Sequence, residues 1–258
     1  MRELLPFKTF VSTNVVLEMP APIDLDLHLE TIDAGLFRDF PDERIPTGVP
    51  QDAPPPIPRF LFVSHESRLE VAPIQLKYSI QYSGNAQRSY SICDRLIRTR
   101  IEKVFGTFLP GITDHFSFAG VVHNVSLGYA GTYRENPALD LAQKYLRLDV
   151  GSQYIQDVEF RIGLRHDDTY FINMSCTNHE VKGKSIRAAA PGLIRVVEHE
   201  METTDTGITI IVDVNTKLFN RVNHRFPEIR YDNFSELLDL MKTVMDKRID
   251  SLISEGRI

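Results

Sequence analysis

Tryptophan is absent from the 258-residue chain, and cysteine occurs only twice, as Cys93 and Cys176. These two lie far apart and form no CxxC pair, which excludes a disulfide framework and fits a reducing cytoplasm. Zinc sites need clustered ligands; two cysteines cannot supply them, and the eight histidines are scattered singly. No apolar run reaches the length of a membrane span, and "MRELLPFKTFVSTNVVLEMP" lacks the core of a signal peptide. A soluble cytoplasmic protein with no membrane partner is therefore expected. The phosphate loop GxxxxGK[ST], the dinucleotide motif GxGxxG, the nucleophile elbow GxSxG and the zinc motif HExxH are all missing. No catalytic residue, cofactor or metal is expected. Nor does one sign of charge dominate: the formal net charge is -6, which does not draw the whole chain to phosphate or anionic lipid.

What is present suffices for a core. Hydrophobic residues make up 42% and charged residues 25%, ordinary values for a folded protein. "FKTFVSTNVVLEM" reads as a first strand. Residues 20–58 then hold most of the fifteen prolines and an excess of Asp and Glu. "TIDAGLFRDF" fits a short helix there, while "QDAPPPIP" must be extended and cannot join a central strand. The segment reads as an ordered wrap or a flexible connection. "RFLFVSHESRLEVAPIQLKYSIQY" gives a hairpin about "SHES". "HFSFAGVVHNVSLGYAG" gives a long strand or a bent pair, with Gly120 as a bulge. "ENPALDLAQKYLRL" starts as a helix, with Asn136 as cap and Pro137 in the first turn. "RHDD" and "TTDTG" look like the turns of two further hairpins. In the C-terminal helix, Asn233 and Glu236 stand at capping-box spacing, and Phe234, Leu238, Met241, Met245, Ile249 and Leu252 form one apolar stripe.

The other long helix, "QRSYSICDRLIRTRIEKVF", carries five basic side chains. Tyr90, Cys93, Ile97, Ile101 and Val104 share its core face. Arg88, Arg95 and Lys103 lie opposite, with Arg98 at the flank and Arg100 between. Ile92 and Leu96 also fall on the outer side, and a mixture of arginine and aliphatic residues suits a protein contact. Arg88, Ile92, Arg95, Leu96 and Arg98 thus make a candidate binding surface, for a protein partner, a second copy, or the acidic segment 20–58. Nucleic acid is less favoured, because stacking aromatics beside the cations are lacking.

Two polar constellations remain. If the strands about His179 and about Glu198 and His199 pair, an imidazole and a carboxylate meet and titrate together. "VDVNT" places Asp213 and Asn215 on one face at a strand end, which could begin a polar site or simply end the strand with an Asx-type turn. Cys93, on the core face, reads as a small hydrophobe.

The acidic stretch running into "FRDFPDE", then "IQLKYSIQYS", "FSFAGVVHNVSLGY", "NPALDLAQKYL" and the closing "ITIIVDVNT…FSELLDLMKTVMDKRIDSLIS" follow one another in an order that resembles the uncharacterised "sporadically distributed" family of bacterial and archaeal proteins. That resemblance supplies no catalytic residues. It implies, at family level, an accessory role in antiviral defence or in mobile elements. The expected fold is α+β: antiparallel sheet in two pseudo-equivalent halves, 1–132 and 133–258, each with a long amphipathic helix packed on it. The leading function is a non-enzymatic protein-binding or scaffolding module. The alternative is a small-ligand binder or enzyme with a pocket between helix and curved sheet, and a third reading is a nucleic-acid-binding accessory factor.

Overall fold

A computed structural model describes residues 7–36, 40, 42–50, 52–109, 111–128, 137–148, 155–183, 186–190, 193–196, 202–217 and 227–255. The Val- and Thr-rich opening forms β1 (Phe7–Glu18), followed by α1 (Leu25–Leu36) and the short β2 (Glu43–Pro46). Next come β3 (Phe60–Ser64), β4 (Ser67–Val71), β5 (Gln75–Gln81) and α2 (Tyr90–Phe108). A single strand, β6 (Phe118–Gly128), precedes α3 (Pro137–Asp140), which runs on through a π turn. Then follow β7 (Glu159–His166), β8 (Tyr170–Gly183), β9 (Ile186–Ala190), β10 (Leu193–Val196) and β11 (Glu202–Asn215). The chain closes with α4 (Tyr231–Thr243), continued by a π turn into α5 (Ile249–Glu255).

Nine strands make one antiparallel sheet in the order β2-β3-β4-β5-β1-β6-β11-β8-β7, while β9 and β10 form a separate ribbon. The expected α+β class holds. The strands before and after the middle of the chain occupy contiguous blocks that meet where β6 pairs with β11. The first block has six strands and the second three.

Alternation decides which face is covered. Val15 and Leu17 of β1, Val121 and Val125 of β6, Ile210 and Val212 of β11, and Ile172 and Met174 of β8 are all buried on one side. Against them lie α2, through Tyr90, Cys93, Ile97, Ile101 and Val104, and α4–α5, through the stripe from Phe234 to Leu252. Both apolar stripes read from periodicity are the buried ones. The two helices are tied together by Arg98, whose guanidinium donates to Asp94 at 2.9 Å, to Ser235 at 2.9 Å and to Asp239 at 2.6 Å. Phe105 adds ring contacts to Phe116, Tyr231 and Phe234.

Segment 20–58 is a wrap. Asp24 accepts backbone N–H bonds from Asp26 and Leu27 and so caps α1, six residues before "TIDAGLFRDF". Ile32, Leu36 and Phe40 enter the core, and Arg100 of α2 lies over the Phe40 ring, 5.8 Å from its centroid. The segment therefore does meet α2, but through apolar side chains and Arg100.

Three expectations need correcting. "TTDTG" is no turn; it lies inside β11, which continues through it beside β8 with a register shift between Thr203 and Asp205. Gly120 is in register with Val16 and Asn215, and the bulge sits in β1 between Phe10 and Ser12. Asn233 is not the cap of α4: the helix starts at Tyr231, and the Asn233 side chain accepts the Arg230 backbone N–H from inside the first turn. Glu236 instead accepts from the Tyr170 hydroxyl at 3.2 Å, tying α4 to β8. Asn136 lies outside the described residues.

Candidate functional site: a hollow on the open sheet face

The face of the sheet away from α2 and α4 carries side chains in rows across the strands. One row runs Asn14–Val122–Asp213–Asn173–Gly163, and the next runs Val16–Gly120–Asn215–Phe171–Arg165. Two glycines in adjacent rows remove side chains, and two phenyl rings occupy part of the room. A Cβ on Gly163 would stand 2.9 Å from the Phe171 ring, and one on Gly120 would stand 3.1 Å from the Phe118 ring. The result is a hollow of about 560 Å³, floored by the sheet and walled by Val16, Val122, Phe118 and Phe171. That is within the ~300–1,000 Å³ range of small-molecule sites.

Its polar groups come from three strands and the turn that follows. Asp213 of β11 accepts a hydrogen bond from Asn173 of β8 at 3.0 Å on one carboxylate oxygen and from Asn215 at 2.9 Å on the other. Asn215 in turn accepts the backbone N–H of Lys217 at 3.0 Å, the Asx-type turn that ends the strand. Two amide donors thus engage both carboxylate oxygens and fix the side chain's rotamer. Arg161 of β7 and Lys217 reach the rim, and among the described residues neither side chain makes a hydrogen bond or ion pair. The hollow thus presents fixed acceptors on its floor, cations at its rim and aromatic walls. Among the described residues that line it there is no His, Cys, Ser, Thr or Tyr.

The other sequence candidates are dispersed. His179 is opposite Gly207, with its Nδ1 3.0 Å from the Thr209 hydroxyl. It lies six residues along β8 from Asn173, the partner of Asp213, roughly 20 Å at the rise of a strand. His179 and Asp213 therefore do not share a site. Glu198 and His199, the other half of that constellation, lie outside the described residues. Arg88, expected on the long helix, instead ends a short 3-10 turn (Ala86–Arg88) ahead of α2 and is exposed; on α2 itself Arg95 is exposed and Ile92 and Leu96 are half-buried against the core. Arg98 is no rim residue, being engaged by Asp94, Ser235 and Asp239.

Beneath α2 lies a second polar cluster, sealed from solvent. The Thr13 hydroxyl meets the Tyr82 hydroxyl at 2.7 Å and Nδ1 of His123. Nε2 of His123 and the Tyr90 hydroxyl are buried without a hydrogen-bond partner among the described residues, and their rings meet edge to face at 5.2 Å. Burial lowers the His123 pKa to about 3, so the imidazole is neutral. Burial also pushes the thiols of Cys93 and Cys176 up to about 12, which leaves both as inert thiols.

Sequence reasoning found Asp213 and Asn215 but missed Asn173, Arg161, Phe118 and Phe171. The signal for Asn173 was the run of outward positions Phe171, Asn173, Ser175 and Thr177, which alternation exposes once β8 is recognised. Among the described residues no group of three His, Cys, Asp or Glu side chains is placed to hold a metal ion, and no helix is long and apolar enough to cross a membrane. A scan against protein-family models finds no match, and a search of curated proteins finds none either.

Proposed function

We propose that the protein is a non-catalytic binding module whose working surface is the open sheet face, and that the hollow around Asp213 receives a small molecule. The observation that carries this reading is the amide-clamped carboxylate at the floor of a hollow whose two rim cations have no partner among the described residues. A purely structural sheet face has no need of a buried Asn173 aligned on Asp213 beside two glycines. The test is thermal stabilisation by a library of small organic acids, amines and neutral ring compounds. Ligand that binds only the native state raises Tm, by about 2.7 kcal/mol of stability at a hundredfold excess over Kd. Compounds that stabilise the wild type should lose the effect in Gly120→Leu, whose side chain fills the hollow. Unchanged stabilisation in that variant counts against the site.

A second reading keeps the outer face of α2 as a protein contact, as a scaffolding module or an accessory factor in defence or mobile elements would need. Exposed Arg88 and Arg95 beside half-buried Ile92 and Leu96 support it. Nucleic acid is supported less, because Arg98 and Arg100 are already engaged within the fold. Ile92→Asp should abolish self-association or partner capture that survives high salt, while Arg88→Ala with Arg95→Ala weakens it only severalfold. The reverse pattern, with steep salt dependence, would move nucleic acid ahead.

A further inference from the structure

We infer that the hollow on the open sheet face selects an amphipathic organic anion: an aromatic or branched apolar body bearing one carboxylate, sulfonate or phosphate group. The inference rests on the reading of that hollow as a binding site and specifies what it takes.

Charge sets the sign. Arg161 and Lys217 supply two positive charges and Asp213 one negative, a net of +1 around the hollow in a chain whose overall charge is -6. The positive balance is therefore local. Among the described residues Asp213 makes no ion pair with either cation; its two oxygens accept from Asn173 and Asn215 and keep lone pairs to spare. An incoming anion thus finds guanidinium and ammonium donors that have no partner among the described residues.

The walls set the body. Phe118 and Phe171 lean over Gly120 and Gly163, and their rings, with Val16 and Val122, supply the apolar lining. Flat rings held in place by glycines beneath them suit stacking against a planar or branched group. A free inorganic ion would satisfy the rim and leave these walls wet; a neutral hydrocarbon would cover the walls and leave the cations unused. Asp213 adds discrimination. It repels a second negative charge at the centre, which favours a single anionic head directed to the rim, and it accepts from an N–H or O–H on the body of the ligand.

The experiment uses two fluorescent probes of nearly the same ring system on the full chain. 8-Anilinonaphthalene-1-sulfonate carries one negative charge; N-phenyl-1-naphthylamine carries none, and both have an N–H. Titrations are run on the wild type, on Arg161→Glu with Lys217→Glu, on Arg161→Lys with Lys217→Arg, and on Gly120→Leu, each first shown by circular dichroism to be folded. The expected result is that the double Glu variant lowers the ratio of sulfonate to neutral-probe affinity by about tenfold or more, as loss and reversal of two rim contacts should. The conservative double variant should keep the ratio within about threefold. Gly120→Leu should weaken both probes. A double Glu variant with the wild-type ratio overturns the anion assignment; if Gly120→Leu still weakens both probes, the hollow stands as a binding site for neutral molecules. If Gly120→Leu leaves both probes unaffected, or neither binds the wild type, the hollow reading falls with it.

Discussion

Replacing Leu238 with alanine should lower the free energy of unfolding by about 2–5 kcal/mol. Leu238 has no exposed surface and sits in the stripe Phe234, Leu238, Met241, Met245, Ile249 and Leu252, none of which is more than 2% exposed. Truncation removes the transfer energy of its side chain and leaves a cavity. The surroundings resist collapse, because α4 is held to α2 by Arg98 and to β8 by the Tyr170–Glu236 contact. Volume decides the matter more than chemistry. Met241→Leu, on the same stripe, should cost less than about 1.5 kcal/mol. Urea unfolding of both variants measures the pair. A Leu238→Ala midpoint equal to that of the wild type would mean that the helix does not pack on the sheet.

Acid should destabilise the protein through His123 by up to about 4–5 kcal/mol, at roughly 1.4 kcal/mol per pH unit. The native pKa is lowered from 6.5 to about 3 by burial, while in the unfolded chain the imidazole returns to its ordinary value. Above pH 6.5 neither state binds the proton, and His123 adds no pH dependence. Between about 6.5 and 3 the unfolded state takes up the proton and the native state does not, so stability falls as pH falls. Below about 3 both bind it and the slope ends. Carboxylates titrate in part of the same window, so the informative quantity is a difference. His123→Gln cannot titrate, and its stability should decline less between pH 6.5 and 4 than that of the wild type. Parallel curves for the two proteins would show that His123 is already solvated.

The same two residues mark how far the sequence could be read. The stripe containing Leu238 was legible because a long helix repeats one local rule, apolar side chains at 3.6-residue spacing. Strands β1, β5, β7 and β8 were legible for the same reason at a period of two. The "TTDTG" stretch was misread because its turn-forming residues outweighed the strand around them. There tertiary pairing with β8 overrides local preference, as it commonly does in sheets. His123 carried no local mark at all. Its burial follows from the packing of α2 on β1 and β6; its hydrogen-bond partner Thr13 stands 110 residues away, and Tyr82, which bonds Thr13 and meets the imidazole ring to ring, 41 residues away. The hollow shows the same boundary. Asp213 and Asn215 were visible as a pair at a strand end. Asn173 and Arg161 join them only because the strand order is β6-β11-β8-β7, and alternation within a strand does not encode its neighbours. For the basic helix, composition indicated a contact surface, yet one of its arginines was already committed to α4.

The claim that the open sheet face is the working surface is tested most directly by amide chemical-shift mapping of the labelled protein during titration with 8-anilinonaphthalene-1-sulfonate. The account predicts the largest shifts at Gly120, Val122, Arg161, Phe171, Asn173, Asp213 and Asn215, residues from four strands that share one hollow. Shifts concentrated at Ile92 and Arg95 on α2 and at Arg88 just before it, with the hollow unperturbed, would contradict it.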